Sequence, residues 1–242
     1  MNLILDLGNS RDKVALFDAG EIKKLVAVRS LTGDRLRQFC KGMGVNAALV
    51  SSVTSEAKAL IKGMQKDFKV FQMDEDLDLP IINVYHTPRT LGNDRLACAV
   101  AAAARFPKKN VLSIDAGTCI KYDFVDDRGR YQGGAISPGL QMRLKAMHTF
   151  TARLPLVKLS KTETLIGRST QESILNGAVN GALQEVSEAI RCYKEKVPAL
   201  KVILTGGDME YFEERLKNRI FAVPNLVLHG LNLILEHNVK NQ

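Results

Sequence analysis

Alternating apolar and polar positions divide the N-terminal third of the chain into strands and amphipathic helices. Apolar runs at residues 1–7, 13–17 and 21–28 predict three successive strands that form an antiparallel meander. Further along, Leu36 and Phe39 recur at helical spacing, which indicates one apolar helix face. The other elements predicted in this region are a helix at 31–42, a strand at 47–51, a helix at 55–65 and a strand at 69–71.

A second series of elements follows a long acidic connection at residues 72–90, and loops of this length are often functional. Ser169 to Glu172 has the pattern of a capping box, so a long helix is expected to start there and to reach about Lys196. The remaining predictions are strands at 110–115, 119–125, 201–204 and 219–222, a strand-like run that closes on Gly139, and helices at 92–106, 140–148 and 225–236, with one more helix that ends at 217.

One strand–turn–strand pattern occurs twice in the chain. LILDLGNS at residues 3–10 matches LSIDAGT at 112–118, so Asp6 corresponds to Asp115. The glycine of the next turn lies 14 positions after the aspartate in both copies. This duplication, with the strand-strand-strand-helix-strand-helix-strand order of the N-terminal part, predicts an α/β protein. We expect two ribonuclease-H-like lobes, residues 1–107 and 108–242, each with a mixed sheet and flanking helices.

Composition excludes several classes of protein. The 242 residues are 45% hydrophobic and 25% charged, which is typical of a globular chain with one large or two small domains. No apolar run approaches the roughly 18 residues of a membrane helix, and no signal peptide is predicted. The four cysteines are far apart and lack metal-binding spacing, so we expect reduced thiols and a cytoplasmic location.

The net charge of +8 suits either nucleic acid or anionic small substrates. The basic residues are dispersed in ones and twos, as at Lys23-Lys24, and there is no arginine-rich arm or aromatic string. Nucleic-acid binding is therefore not expected as a main role.

The turn after each duplicated strand carries groups suited to phosphates. A carboxylate at a strand end, such as Asp6 or Asp115, can hold Mg²⁺, while the following glycine lets backbone N–H groups approach a phosphate. Asp and Gly also favour ordinary turns, so a single copy would indicate a plain hairpin. Two copies favour phosphoryl transfer, which depends on positioning and charge neutralisation. The Gly206-Gly207 turn is either a plain strand-to-helix turn or a place where a flat nucleoside can approach.

The start of the helix at 92–106 places a carboxylate beside a guanidinium. Asn93 or Asp94 could simply cap the helix. Arg95 is not explained by capping, because a cation in the first helical turn opposes the helix dipole. The pair suits a hydroxyl-bearing anionic substrate, with Asp94 as general base and Arg95 on a carboxylate or an incoming phosphate.

The signatures of Walker-type ATPases and protein kinases, GxxxxGK[ST], HRD and DFG, are absent from the sequence. The ordered set DLGNS, LGNDR, IDAGT, GGAISPG, IGRST, LTGGD and PNLVLHGLNLIL instead resembles type III pantothenate kinases, over essentially the whole chain. That family belongs to the acetate and sugar kinase/Hsp70/actin superfamily of actin-like ATPases. The resemblance implies transfer of the ATP γ-phosphate to the pantothenate 4′-hydroxyl, the first step of coenzyme A biosynthesis, with Mg²⁺ and a monovalent cation (K⁺ or NH₄⁺) as cofactors.

The resemblance also assigns roles to single residues. It implies that Asp94 is the catalytic base and that the loop from Gly133 and Gly134 through the Pro138-Gly139 turn faces the nucleotide. The implied substrate-binding residues are Tyr85, Gly92, Asn93 and Arg95, with Thr170 reaching the partner's pantothenate site across a homodimer. The implied ATP-binding residues are Asp6, Leu7, Gly8, Asn9, Ser10, Asp115, Gly117, Thr118, Gly206 and Gly207. The implied metal ligands are Asp6, Asp115 and Asp123.

Three positions depart from the family pattern: Ser10 stands for the usual Thr, Asn93 for a small residue, and Lys121 for a Thr. The Ser10 hydroxyl keeps the chemistry of Thr. Our hypothesis is that the Lys121 ammonium partly substitutes for the monovalent cation, which the family holds partly with the residue matching Asp123. The alternative is that Lys121 points to solvent and K⁺ still binds.

Two other functions stay open at the level of sequence. One is another small-molecule kinase, or a phosphatase, of the same superfamily, and the Gly92-Asp94-Arg95 set argues against it. The other is a nucleotide-binding regulator, against which Asp94 counts because a binding module needs no base. Gly177 and Gly181 leave a flat helix face, which either packs closely on its own lobe or forms the seam of the expected homodimer.

Overall fold

The structure is a computed structural model, and it describes residues 1–8, 11–52, 57–74, 76–162, 164–216 and 220–241, with the side chains of 57–59 left aside. Two compact units make up the chain: Met1–Ala104 with Leu226–Gln242 form unit 1, and Arg105–Asn225 form unit 2. No helix in the described part of the chain combines the length and apolarity that crossing a bilayer requires.

The elements follow the predicted order closely. They are β1 (Asn2–Leu7), β2 (Asp12–Asp18), β3 (Glu21–Val28), α1 (Gly33–Cys40), β4 (Ala47–Ser52), α2 (Ala57–Met64), β5 (Lys69–Gln72), β6 (Ile82–Asn83), a 3-10 turn (Pro88–Thr90), α3 (Asn93–Arg105), β7 (Val111–Ala116), β8 (Cys119–Val125), β9 (Arg130–Pro138), α4 (Leu140–Thr149), α5 (Thr170–Lys196), β10 (Lys201–Thr205), α6 (Met209–Glu213), β11 (Phe221–Ala222) and α7 (Leu226–Lys240).

The two units repeat one sheet topology. The sheet of unit 1 has the order β3-β2-β1-β4-β5, and that of unit 2 runs β9-β8-β7-β10-β11. In each, three antiparallel strands are followed by parallel ones: β1 pairs with β4, and β7 with β10. This confirms the duplicated, ribonuclease-H-like mixed sheet, because the first strand of each meander lies at the centre of its sheet.

Period-2 alternation places the core of each unit on its sheet. In β1, Leu3, Leu5 and Leu7 point to one face, where they meet buried residues of α1 such as Leu36. In β7, Leu112 and Ile114 pack against α5 in the same way. Asp6 and Asp115 lie near the carboxyl ends of these central strands. Their side chains point to the opposite face of the sheet from the leucine and isoleucine residues named above.

The last helix, α7, returns to unit 1, whereas the predicted boundaries at 107/108 leave it in the C-terminal lobe. It packs on β1 and β4. Asn2 Nδ2 donates to Asn232 Oδ1 at 3.0 Å. Gly230 lies against α3, where an added Cβ would be 1.8 Å from the Ala97 carbonyl oxygen. A local pattern could not foresee this return, because the apolar side of α7 suits either sheet.

The predicted N-terminal cap of α5 is confirmed. Ser169 caps α5, its hydroxyl accepting from the N–H of Glu172 at 3.2 Å, and Glu172 Oε2 accepts from the N–H of Arg168 at 2.6 Å. Most boundaries agree within two residues, although α6 ends at Glu213 rather than 217 and α7 extends to Lys240 rather than 236. Residues 55–56, 217 and 219, where other predicted elements start or end, lie outside the described residues.

The duplicated hairpins share their overall length but differ inside it. Asp6 pairs with Lys13, seven residues later, whereas Asp115 pairs with Lys121, six residues later. The one-residue difference is compensated in the second strand, because Gly20 follows Lys13 by seven residues and Gly129 follows Lys121 by eight. These two glycines adopt φ of 82° and 73°. The equal spacing of 14 in sequence therefore hides a longer first turn in unit 1, and in both units a lysine stands opposite the strand-end aspartate.

Candidate active site

Asp94 is held at the start of α3 by two local features. Its Oδ1 accepts a hydrogen bond from the N–H of Arg95 at 2.9 Å. A Cβ on Gly92 would lie 2.6 Å from the same oxygen. Only a glycine at position 92 therefore leaves room for this orientation, which keeps a partly exposed carboxylate at the helix start. Such a carboxylate is suited to accept a proton from a nearby hydroxyl.

Arg95 and Tyr85 are brought together. The Arg95 guanidinium carbon lies 5.6 Å from the centroid of the Tyr85 ring, within cation–π range. Arg95 is only 5% exposed although it carries a charge, which is rare without a local interaction of this kind. The structure thus joins two of the predicted substrate-binding residues next to Asp94.

The other predicted residues of unit 1 have mixed surroundings. Asn93 Nδ2 donates to the Met73 carbonyl at 3.2 Å, so its amide ties α3 to the segment after β5. Asp6 is partly exposed at the end of β1, while the Leu7 side chain belongs to the core. Gly8 is exposed. Asn9 and Ser10 lie outside the described residues.

In unit 2, Asp115 forms an ion pair with Lys121. Lys121 Nζ lies 2.8 Å from Asp115 Oδ2, and the two side chains are 18% and 14% exposed. The pair follows from the register, because Asp115 and Lys121 face each other across the antiparallel strands β7 and β8. The alternative in which Lys121 points to solvent is not observed.

Three backbone turns converge on the end of β7. Gly139 N donates to the Thr118 carbonyl at 3.1 Å, and a Cβ on Gly139 would lie 2.0 Å from the Gly117 oxygen. From the other side, a Cβ on Gly206, whose φ is +102°, would lie 2.1 Å from the Ala116 oxygen. The exposed Thr118 and the exposed Gly207 lie on the outside of this arrangement. Such glycine-lined backbone is typical of places that a phosphate or a nucleoside can approach closely.

Asp123 is differently placed from the two strand-end aspartates. It is 1% exposed, and its Oδ1 accepts a hydrogen bond from the Tyr131 hydroxyl at 2.7 Å. The residue opposite Asp123 on the neighbouring strand β7 is Ser113, whose hydroxyl donates to the backbone carbonyl of Asp123. Within the described ranges, no three His, Cys, Asp or Glu side chains form a group that could hold a metal ion.

Asp208 was missed by the sequence reasoning. Its N–H donates to the Ala116 carbonyl at 2.9 Å, so it stands beside the end of β7. Burial, with added repulsion from Glu210 and Asp115, raises the pKa of Asp208 to about 6. The signal available in the sequence was the Asp that completes Gly206-Gly207-Asp208, a residue type that favours turns in any case.

Thr170 lies in a separate part of unit 2, at the first turn of α5. It lines a cavity of about 640 Å³ with Arg168, Ser169, Ser173 and the apolar Met147. A larger cavity of about 830 Å³ opens between α1 and α2 of unit 1, but the residues that line it include no predicted site residue. The chemistry-bearing groups thus lie at strand and helix ends rather than in the larger cavity.

Comparison with known proteins gives a consistent result. A model of the type III pantothenate kinase family matches residues 2–192. The type III pantothenate kinase of Bacteroides fragilis (strain YCH46) is 46% identical over 239 residues, which cover 98% of both chains. That of Christiangramia forsetii is 44% identical over 240 residues, 98% of this chain and 99% of the relative. A conserved Baf family protein from Campylobacter jejuni has the same fold, with a TM-score of 0.63, 21% identity and coverage of 98% and 99%.

Proposed function

The chain belongs to the type III pantothenate kinase family, and from that premise we infer that it transfers the γ-phosphoryl group of ATP to the 4′-hydroxyl of pantothenate. The product, 4′-phosphopantothenate, makes this the first step of coenzyme A biosynthesis. The observation that carries the inference is the similarity to curated pantothenate kinases along nearly the whole chain. Kinases of this kind use ATP with a divalent metal ion.

In this reaction Asp94 is the general base. Its carboxylate is held by the N–H of Arg95 and by the space at Gly92, so it can take the proton of the 4′-hydroxyl as the phosphoryl group arrives. Arg95, supported by the Tyr85 ring, binds the pantothenate carboxylate. Asn93 contributes by fixing the start of α3 to the Met73 carbonyl.

The strand-end turns bind the ATP phosphates. In unit 1 the phosphate-binding groups are Asp6 and the residues that follow it to Ser10. In unit 2 they are Asp115, Gly117 and Thr118, with Gly206 and Gly207 beside the nucleoside. Support comes from the tight glycine packing around the end of β7, which fixes the backbone where Thr118 is exposed.

The carboxylates of Asp6 and Asp115 fit Mg²⁺, which is usually bound in kinases through one or two carboxylates together with phosphates and water. Both are partly exposed at strand ends. The metal ion neutralises phosphate charge when it is bound. Asp123, which the family resemblance connects with the monovalent cation, fits a metal ion less well, because its carboxylate is buried and already accepts from the Tyr131 hydroxyl.

The Lys121 ammonium partly substitutes for a monovalent metal ion, beside Asp115. It is already within 2.8 Å of that carboxylate and is mostly shielded from solvent. Lysine presents a compact charge with three donors, so it can neutralise the carboxylate and the nearby phosphate in the way that K⁺ would.

Lys121→Thr is expected to create a dependence on K⁺. Wild-type turnover should change less than about twofold between K⁺-free and K⁺-saturated buffer. The variant should lose about tenfold or more without K⁺, because a hydrogen bond to a charged group contributes about 1.5–3 kcal/mol, and should recover when K⁺ is added. Titration of an ATP analogue with and without K⁺ gives a second readout independent of turnover.

Lys109→Thr is the matched control for this experiment, since Lys109 is an exposed lysine of the same unit. It should leave the K⁺ response unchanged. A wild-type chain that strictly requires K⁺ would eliminate the substitution of the cation by Lys121.

A homodimer with a composite substrate site completes the proposal, with Thr170 reaching the partner's pantothenate. Phe150, Leu165 and Ile166 are 85%, 77% and 77% exposed in the segment that leads to Thr170. Side chains of this size are costly to leave in water, so they favour burial by a second copy. A Cβ on Gly177 or Gly181 would meet no described atom within 4 Å, so close packing of that face on its own unit is not observed.

Replacing Leu165 and Ile166 together with aspartate is expected to convert the dimer into a monomer and to raise the KM for pantothenate. The measurement is molar mass by size-exclusion chromatography with light scattering. Val239→Asp, at a position 44% exposed on α7, is the control and should leave the mass unchanged. A wild-type chain with the mass of a monomer would contradict the composite site.

A coupled assay with ATP, Mg²⁺ and pantothenate tests the proposed function directly. ADP formation that requires pantothenate is the expected result. ADP formation with another acceptor alone would favour a different small-molecule kinase, and nucleotide binding without turnover would favour a regulator. Cytoplasmic location stays a prediction.

A further inference from the structure

A polar cluster in unit 2, absent from the sequence predictions, is centred on Glu185 of α5. Glu185 Oε1 accepts hydrogen bonds from the Tyr122 hydroxyl at 3.0 Å and from the Ser137 hydroxyl at 2.5 Å. The other carboxylate oxygen, Oε2, forms an ion pair with the guanidinium of Arg143. One side chain thus joins β8, β9, α4 and α5.

The cluster keeps Glu185 ionised. Burial by itself would raise the pKa of its carboxyl, but hydrogen bonds from Ser137, Arg143 and Tyr122 outweigh burial and lower that pKa below its usual value. Burial and the neighbouring Glu185 carboxylate raise the pKa of Tyr122, so its phenol stays a donor. The charge on Glu185 therefore persists throughout the neutral range.

Arg143 connects Glu185 to the turn that precedes α4. Its Nε donates to the Pro138 carbonyl at 2.8 Å, and its backbone N–H donates to the Gly139 carbonyl at 3.0 Å. The Ser137 hydroxyl belongs to the same turn. Glu185 therefore holds the segment Ser137–Gly139 at two places, one through a direct hydrogen bond and one through the guanidinium.

That segment lies directly on the backbone after Asp115. Gly139 N donates to the Thr118 carbonyl, and the two turns are so close that a Cβ on Gly139 would lie 2.0 Å from the Gly117 oxygen. A displacement of Gly139 toward this turn must move Gly117 or Thr118, because the two backbones are closely packed and joined by a hydrogen bond of 3.1 Å.

We propose that Glu185 is a positioning residue for nucleotide binding, which holds the Gly117–Thr118 turn in place through Ser137, Arg143 and Gly139. This proposal rests on the kinase function given above. A charge-assisted hydrogen bond fixes geometry better than a neutral contact, which explains a carboxylate at this position rather than an amide. Glu185 touches neither substrate in this role and acts only through the turn.

Glu185→Gln is the test, with Glu188→Gln as its matched control. The amide keeps the size of the side chain but presents an NH₂ group to a neighbourhood of donors, so the link to Arg143 is weakened. Glu188 lies one turn further along α5, is exposed, and pairs with Arg191. Isothermal titration with a non-hydrolysable ATP analogue and Mg²⁺ measures nucleotide Kd without any acceptor.

The expected result is a Kd about tenfold weaker for Glu185→Gln and unchanged for Glu188→Gln. In the kinetic assay the KM for ATP should rise by the same factor, while the KM for pantothenate stays within about twofold. A merely structural role would lower the melting temperature without this selective rise. Equal nucleotide Kd in wild type and Glu185→Gln overturns the proposal.

Ser137→Ala gives a second measurement if Glu185→Gln does not fold. It removes the hydroxyl on the turn itself and should weaken nucleotide Kd about threefold, and an unchanged Kd overturns the proposal. A wild-type chain that binds the analogue but does not phosphorylate pantothenate would refute the proposed function alone. The titration of the variants would still decide the role of Glu185.

Discussion

Asp94→Asn is expected to lower kcat by about 100-fold or more, while the Kd for MgATP stays unchanged. A positioned general base contributes about 10²- to 10⁴-fold to a proton transfer, and the amide of asparagine cannot take the proton. The amide oxygen still accepts from the Arg95 N–H, where Asp94 Oδ1 lies at 2.9 Å, so the start of α3 is kept. Steady-state kinetics and nucleotide titration together separate the loss of chemistry from a loss of binding.

Asp34→Asn is the control for Asp94→Asn. Asp34 is also an aspartate in the first turn of a helix of unit 1, and its exposed carboxylate pairs only one turn away, with Arg37. Exposed pairs of this kind contribute at most about 1 kcal/mol to stability, so the variant should stay folded. Because Asp34 is not one of the predicted site residues, its turnover should match that of wild type. Turnover of Asp94→Asn equal to wild type would refute the role of Asp94 as base.

Gly206→Ala is expected to lower the free energy of unfolding by about 3 kcal/mol and to weaken nucleotide binding with it. A Cβ at this position would lie 2.1 Å from the Ala116 oxygen and 2.5 Å from its carbonyl carbon, and φ is +102°, which L side chains rarely adopt. Overpacking costs about 1–3 kcal/mol, and the strained backbone adds about 1 kcal/mol or more. Because the contacts are with backbone, β7 itself must move, and Asp115 with it.

Gly207→Ala is the neighbouring control, measured by urea unfolding. A Cβ at 207 would meet no described atom within 4 Å, and the residue is exposed, so the free energy of unfolding should stay within about 0.5 kcal/mol of wild type. Equal stabilities of the two variants would show that the turn at Gly206 can move away from Ala116. The packing of Gly206 on Ala116 would then not hold the Gly117–Thr118 turn in place.

Much of the fold could be predicted because its signals are local. The Ser169–Glu172 capping box sets the start of α5 through bonds within four residues, and alternation in β1 and β7 needs only the chain itself. The repeated Asp-containing hairpin also revealed the duplication that both sheets display. Gly92, Asp94 and Arg95 could be proposed as parts of one candidate site for the same reason, since these residues are neighbours in sequence.

Contacts between residues that are far apart in the sequence could not be predicted. Glu185 reaches Ser137 from 48 residues away, Gly206 meets Ala116, and α7 returns to β1 across most of the chain. Nothing in the local pattern distinguishes an apolar helix that packs on its own lobe from one that returns to the other. The burial of Asp123 and its hydrogen bond from the Tyr131 hydroxyl likewise could not be predicted from the local pattern.

The sequence by itself therefore determined the twin strand–turn–strand units, the order of their elements and the family to which the chain belongs. The tertiary structure alone decided that Lys121 lies on Asp115, that three turns press on the end of β7, and that Glu185 supports one of them. The physical reason is that hydrogen-bonding propensity and apolar period act over a few residues. Register and close packing depend instead on which distant surfaces meet, and they fix the positions of charges to within a few ångströms.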